Sequence, residues 1–222
     1  MRALSVVMVP GLGLGEEACA PTLTRLSWGA RVVRLPGYGR AADRDSDLAP
    51  ATLAANLMRA LADTPALVVL IGHSASCQVV AEAAARFPAT MSAVVLIGPT
   101  TDPRSVSWPG LAQRWLRTAC WERPRQVPLL VREYTRTGLR SMLRGMDAAR
   151  RHRIQEALAH CQVPVLVLRG RHDRIAPEDW CRRLAGDVVT LQTGAHMIPL
   201  THGPEVAGAV TAWLTSRAAS SR

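Results

Sequence analysis

There is no lysine in this chain: all 27 cationic side chains are arginine, against 17 acids, for a formal net charge of +10. Aromatic residues are scarce, at 4% of 222 positions. The five cysteines (Cys19, Cys77, Cys120, Cys161, Cys181) form no Cys-x-x-Cys pair, and none stands at metal-ligand spacing from a histidine. No apolar run approaches the roughly 20 residues that a bilayer-spanning helix requires. Each absence removes a class of protein. A cysteine-held metal site is not expected, and a dispersed, odd set of thiols reads as reduced, in a cytoplasmic setting. A membrane partner is not expected. The high isoelectric point, near 11.0, would suit a nucleic-acid binder. However, the missing lysine, together with abundant alanine, marks a compositional bias. The arginines are scattered, and their densest stretch, Arg104 to Arg153, also contains acids and apolar residues. No nucleic-acid partner is expected; the basic surface is suited to attracting anionic ligands.

What is present is apolar substance: 48% of residues are hydrophobic, enough to bury a core without disulfides or metals, which excludes disorder. The length suits one domain, with room for an insertion. Met1 and Arg2 lead into an apolar run that stops at Pro10-Gly11, with Glu16 and Glu17 beyond it. This reads as a buried strand and not as a secretory leader. Strands are predicted at Leu4–Val9, Arg31–Leu35, Leu67–Ile71, Ala93–Ile97, Val163–Leu168 and Val188–Leu191. Helices are predicted between and after them, at Pro50–Ala62, Ala75–Arg86, Glu178–Leu184 and Pro204–Leu214. Such alternation implies an α/β protein: a mostly parallel sheet of about six strands with helices on both faces. From Asp102 to Cys161 no strand signal occurs. Tryptophans, leucines and arginines there suggest helices with apolar stripes. The tail from Ser216 to Arg222 is small and polar and is expected to fray.

The segment that carries chemistry is Leu67-Val-Val-Leu-Ile-Gly-His-Ser-Ala-Ser-Cys77. A buried strand runs into Gly72-His73-Ser74-Ala75-Ser76, and a helix follows. This is the setting of a nucleophile elbow, in which a strained central residue is exposed at a helix N-terminus. The positions two before and two after it must be small, and Gly72 and Ser76 are. A plain strand-turn-helix with surface serines is the alternative. The Gly11-x-Gly13-x-Gly15 run lacks Gly-x-Gly-x-x-Gly spacing, and no acidic residue ends a suitable strand downstream, so no dinucleotide is expected.

With these motifs in order, the chain resembles the α/β-hydrolase fold family from about Leu4 to Leu214. The family's usual Gly-x-Ser-x-Gly is here Gly-x-Ser-x-Ser, a departure at Ser76. The resemblance implies Ser74 as nucleophile. Gly170-x-x-Asp173-x-x-x-Pro177 matches the family's acid loop, and Gly194-Ala195-His196 its histidine loop, so Asp173 would orient His196 and His196 would take the Ser74 proton. Asp102, after the preceding strand, is a rival acid. Asp173 has an alternative partner in Arg171 or Arg174, and His196 an alternative role in capping the last helix. The backbone N–H groups of Leu12 and Ala75 match the oxyanion-hole donors. Leu35-Pro36-Gly37-Tyr38-Gly39-Arg40 resembles the turn that lines the pocket mouth. The resemblance implies a core of residues 1–101 and 161–222 lacking the family's first two strands, with 102–160 as a helical cap. Gly11, His73, Trp108, Trp115 and Met197 are placed around the pocket; His172 and His202 are read as exposed. The implied activity is hydrolysis of a carboxylic ester, thioester or lactone of a small apolar substrate, with no metal and no organic cofactor. The fold also hosts C–C cleavage, cyclisation, acyl transfer, cofactor-free oxidation and ligand receptors, so these stand as alternatives.

Overall fold

Successive residues of a strand face opposite sides of its sheet, and in the central strands of this chain both sets are apolar. The computed structural model describes residues 4–64 and 66–220. The chain begins β1 (Leu4–Val9), α1 (Glu16–Leu23), β2 (Ala30–Val32), β3 (Leu35–Pro36), β4 (Gly39–Arg40) and α2 (Pro50–Ala60). It continues with β5 (Leu67–His73), α3 (Ser76–Arg86) and β6 (Met91–Ile97), followed by a purely helical stretch of α4 (Trp108–Ala119), α5 (Val127–Thr137), α6 (Leu139–Arg151) and α7 (Ile154–Ala159). It closes with β7 (Val165–Gly170), α8 (Glu178–Leu184), β8 (Asp187–Leu191), α9 (Ile198–Thr201) and α10 (Gly203–Ser220).

The main sheet has six strands in the order β2–β1–β5–β6–β7–β8, all parallel. Val6 and Met8 face one side with Val69, Ile71, Val95, Ile97, Leu166 and Leu168. There they meet Cys19 of α1, Ile198 of α9, and Val206 and Val210 of α10. Val7 and Val9 face the other side with Val68, Leu70, Val94, Leu96 and Val167. There they meet Leu53 and Leu57 of α2, Val79 and Val80 of α3, and Trp180 of α8. Ile154 and Ala157 of α7 join this second layer. The Trp180 indole N–H donates to the Pro99 carbonyl at 2.9 Å, so the largest buried side chain also ties α8 to the end of β6. Both layers are therefore continuous, as a parallel sheet requires.

The strand order reverses direction at one place. From β1 the chain steps outward to β2, then returns across β1 to β5 and proceeds the other way. The carboxyl ends of β1 and β5 thus flank a crevice, the usual ligand position in such sheets.

Several predicted boundaries shift. The second strand stops at Val32, not Leu35; Leu35–Pro36 pairs instead with Gly39–Arg40 in a separate two-stranded sheet. The positive φ of Gly37 and Gly39 lets the chain loop round so that these two short strands lie side by side in parallel. β7 starts at Val165, two residues later than expected, because Pro164 has no N–H to donate. α10 runs to Ser220, so the tail is helical from Ser216 to Ser220, in keeping with the helix propensity of alanine; Ser221 and Arg222 lie outside the described residues. All five cysteines are free thiols. Among the described residues, no helix is long and apolar enough to cross a membrane.

Candidate active site

The turn from β5 into α3 is as tight as the sequence suggested. Ser74 has φ +58°, a left-handed backbone that side chains other than glycine rarely adopt. Its N–H donates to the Ile97 carbonyl at 2.8 Å, which holds the strained residue against the end of β6. Gly72 is small for a specific reason: a Cβ there would lie 2.8 Å from Cys77 Cα, in the helix backbone. Gly72→Ala should therefore push α3 off β5 and destabilise the fold by about 1–3 kcal/mol, read as a lower urea midpoint; an unchanged midpoint would contradict this packing.

Ser76, where the sequence departs from Gly-x-Ser-x-Gly, is fully buried and makes a three-way clasp. Its Oγ accepts from the His73 N–H at 2.8 Å and lies 2.8 Å from the Val9 carbonyl and 2.9 Å from the His73 carbonyl, either of which its O–H can reach. The hydroxyl thus joins the elbow to the end of β1, where the glycine loop begins.

That loop, 10–15, is fixed at several points. The Gly13 N–H donates to Gly37 and the Leu14 N–H to Gly11, at 2.8 and 3.0 Å. The helical segment holds it from above: the Gly15 N–H donates to Glu133 Oε2 at 2.9 Å, and Thr137 Oγ1 to the Gly13 carbonyl at 3.2 Å. Among the described residues, no group accepts a hydrogen bond from the N–H of Leu12 or of Ala75, which leaves both free for a ligand.

Asp173 and His196 come together after the last two strands of the sheet. His196 Nδ1–H donates to Asp173 Oδ2 at 2.8 Å. The other carboxylate oxygen accepts from the N–H groups of Ile175 and Ala176 at 2.8 and 3.0 Å. Asp173 is therefore fully occupied, and its partner is His196 and not Arg171 or Arg174. Burial alone would raise its pKa, but the His196 charge and hydrogen bond, with the Ala176 N–H, outweigh that and hold it below the ordinary value. His196 moves the other way: burial opposes its charge, and the charge and hydrogen bond of Asp173, with Glu122 adding to them, raise its pKa above 6.5. Gly98, at φ +55°, makes room for the pair, since a Cβ there would sit 3.0 Å from both Asp173 Oδ2 and His196 Nδ1. His196 caps no helix; it precedes α9 in a loop.

His73 supports the same loop from the elbow. Its Nε2–H donates to the His196 carbonyl at 3.0 Å, and the two rings lie 5.1 Å apart. Burial, reinforced by the charge of His196, depresses the His73 pKa to about 3, so it stays neutral. Asp102, the rival acid, is engaged elsewhere. Its carboxylate accepts from Arg104 at 2.6 Å and from Arg114 at 2.8 Å. Burial works against that charge, but these arginines bring its pKa down to about 2.

Ser74 and His196 open on one cavity of about 490 Å³ with a mostly apolar wall. His73, Trp108, Trp115, Met197 and Leu12 are among the residues that line it. Gly11 does not: it packs behind the wall, where a Cβ would meet the His73 ring at 2.8 Å. His202, read as exposed, is buried, with Arg123 at 3.1 Å from its Nε2 and Thr201 Oγ1 at 2.9 Å from its Nδ1. His172 is half-buried beneath the Trp121 ring, stacked at 3.9 Å. Sequence reasoning missed Glu122, Glu133, Thr137 and Gly98, along with Tyr134, Met142 and Met146 of the cavity wall. The clusters Glu122-x-x-x-Gln126 and Glu133-x-x-x-Thr137 have helical spacing, which signals a shared face but not its partner.

Comparison with known proteins agrees with this architecture. Residues 6–209 match the model of the Alpha/beta hydrolase family. The chain is similar in structure to the enol-lactonase from Burkholderia xenovorans, with a TM-score of 0.75 and 18% identity over 97% of this chain and 92% of that one. It is likewise similar to an esterase from Exiguobacterium antarcticum, with a TM-score of 0.76 and 13% identity over 97% and 93% of the two chains. No curated protein is significantly similar in sequence.

Proposed function

This chain belongs to the alpha/beta hydrolase family, and from that premise we propose that it is a serine hydrolase acting through an acyl-enzyme on Ser74. The substrate class is a carboxylic ester, thioester or lactone of a small apolar molecule. The observation that carries the reading is the 2.8 Å bond from His196 Nδ1 to the buried Asp173 carboxylate, with His196 itself lining the cavity that also exposes the strained Ser74. The fold resemblance to proteins described as an enol-lactonase and an esterase supports the same class.

The steps follow from the proton positions. Asp173 holds the proton of His196 on Nδ1, which leaves the Nε2 lone pair free for the Ser74 hydroxyl. Ser74 Oγ adds to the substrate carbonyl as its proton passes to Nε2. The N–H groups of Leu12 and Ala75 receive the developing oxyanion. Collapse breaks the bond to the alcohol or thiol, which leaves with the proton from Nε2; in a lactone it stays tethered. Water, deprotonated by the same nitrogen, then releases the acid and restores Ser74. This chemistry needs no metal and no organic cofactor. Trp108, Leu111 and Trp115, in the cap that covers the cavity, suit an apolar acyl or alcohol group.

The acid limb of the pH profile tests the base. Protonated His196 cannot accept the serine proton, and its pKa is raised above 6.5. On a panel of activated esters, thioesters and lactones, kcat/KM should fall as pH drops through a value above 6.5 and level off on the alkaline side. A limb well below 6.5, or no hydrolysis of any class in the panel, would overturn the reading.

A further inference from the structure

The helical segment between β6 and β7 grips the loops beneath it, and one short stretch of it does so three times. Trp121 lies face to face with His172, beside Asp173, at 3.9 Å. Arg123 donates to the Thr201 carbonyl at 3.0 Å and contacts His202 Nε2 at 3.1 Å. Between them, Glu122 Oε1 accepts from the N–H groups of both His196 and Met197, at 2.7 and 2.8 Å. These two amides lead into the short helix α9, where no carbonyl of that helix can accept from them. The His196 loop thus takes the anchor of its two N–H groups from the segment that covers the cavity, 74 residues earlier in the chain.

We propose that Glu122 is a positioning residue for His196: its carboxylate fixes the His196 loop and its charge favours the imidazolium formed when His196 takes a proton. The proposal rests on the reading of His196 as the general base. A neutral acceptor would serve the anchoring alone, so the charge is the part that bears on reactivity. The titratable groups that face His196 are Asp173 from the loop after β7, Glu122 from the helical segment, and His73 from the elbow. His73 is neutral, so the two carboxylates decide the field. Both negative charges favour the protonated ring, Asp173 most and Glu122 in the same direction.

Glu122→Gln separates charge from anchoring. The amide oxygen can still accept from both N–H groups. Its NH2 would face Gln126 Nε2, which now donates to Glu122 Oε2 at 2.9 Å. Gln126 Oε1 is buried without a partner, so a flip of that amide restores the bond. The His196 ring is titrated by NMR in wild type and Glu122→Gln, its resonance identified by its absence from His196→Asn. The expected result is a lower His196 pKa in Glu122→Gln, with the acid limb of kcat/KM displaced downward by the same amount. Glu122→Ala, which also frees the loop, should lose kcat by on the order of a hundredfold with little change in KM. An unchanged His196 titration in Glu122→Gln overturns the proposal, whether or not hydrolysis is detected. Absence of hydrolysis by the wild type bears on the acyl-enzyme reading alone. Should Glu122→Ala fail to fold, the isosteric variant still decides the matter.

Discussion

Ser74→Ala is expected to reduce kcat by about a millionfold while leaving the thermal midpoint unchanged. The two halves of this result have separate causes. Without Oγ there is no atom to carry the acyl group, and only water attack aided by the remaining groups persists. Ser74 Oγ makes no hydrogen bond among the described residues, so its removal leaves no buried partner unsatisfied. The left-handed backbone at φ +58° strains alanine as it does serine, so the elbow keeps its shape. Undiminished turnover by Ser74→Ala would exclude the acyl-enzyme and favour non-hydrolytic chemistry or ligand binding. The measurements are steady-state kinetics and a thermal melt on the same sample.

Asp173→Asn should lower kcat by about ten-thousandfold, through the tautomer of His196. The oxygen at the Oδ1 position is committed to the Ile175 and Ala176 N–H groups, so the new NH2 must occupy the Oδ2 position and point at His196 Nδ1. Two donors cannot share that contact. His196 then holds its proton on Nε2, the nitrogen that must accept from Ser74. Asp102→Asn is the control, because its carboxylate serves Arg104 and Arg114. A comparable loss in Asp102→Asn, with Asp173→Asn near wild type, would transfer the acid role to Asp102. Kinetics on both variants with one ester substrate decides between them.

The parts of this molecule that were legible in the sequence are those set by local pattern. Short β-branched apolar runs between turn residues suit buried strands, and β1, β5 and β6 lie where Leu4–Val9, Leu67–Ile71 and Ala93–Ile97 lie. The small residues around Ser74 reported the elbow because steric exclusion acts within five residues of chain. Asp173 and His196 were found by loop motifs in family order. What stayed hidden depends on long-range contact. Glu122 meets His196 across 74 residues, and Glu133 meets Gly15 across 118, so nothing near either glutamate announces its partner. His202 was read as exposed; Arg123, from the helical segment, closes over it across 79 residues of chain. Helix α1 was missed because Glu16–Leu23 has little apolar periodicity and contains Pro21. Ser76 was read as a tolerated substitution; its hydroxyl clasp depends on the approach of Val9, which the sequence does not display.

An activated Ser74 beside His196 and two oxyanion donors should react with an electrophile built for serine hydrolases. Intact mass after treatment with a fluorophosphonate tests it directly, since this reagent modifies serine only when base and oxyanion hole act together. Wild type should gain one phosphonyl adduct, located at Ser74 by peptide mapping, and Ser74→Ala should gain none. A folded wild type that takes up no label, or an adduct that persists in Ser74→Ala, would contradict an activated Ser74.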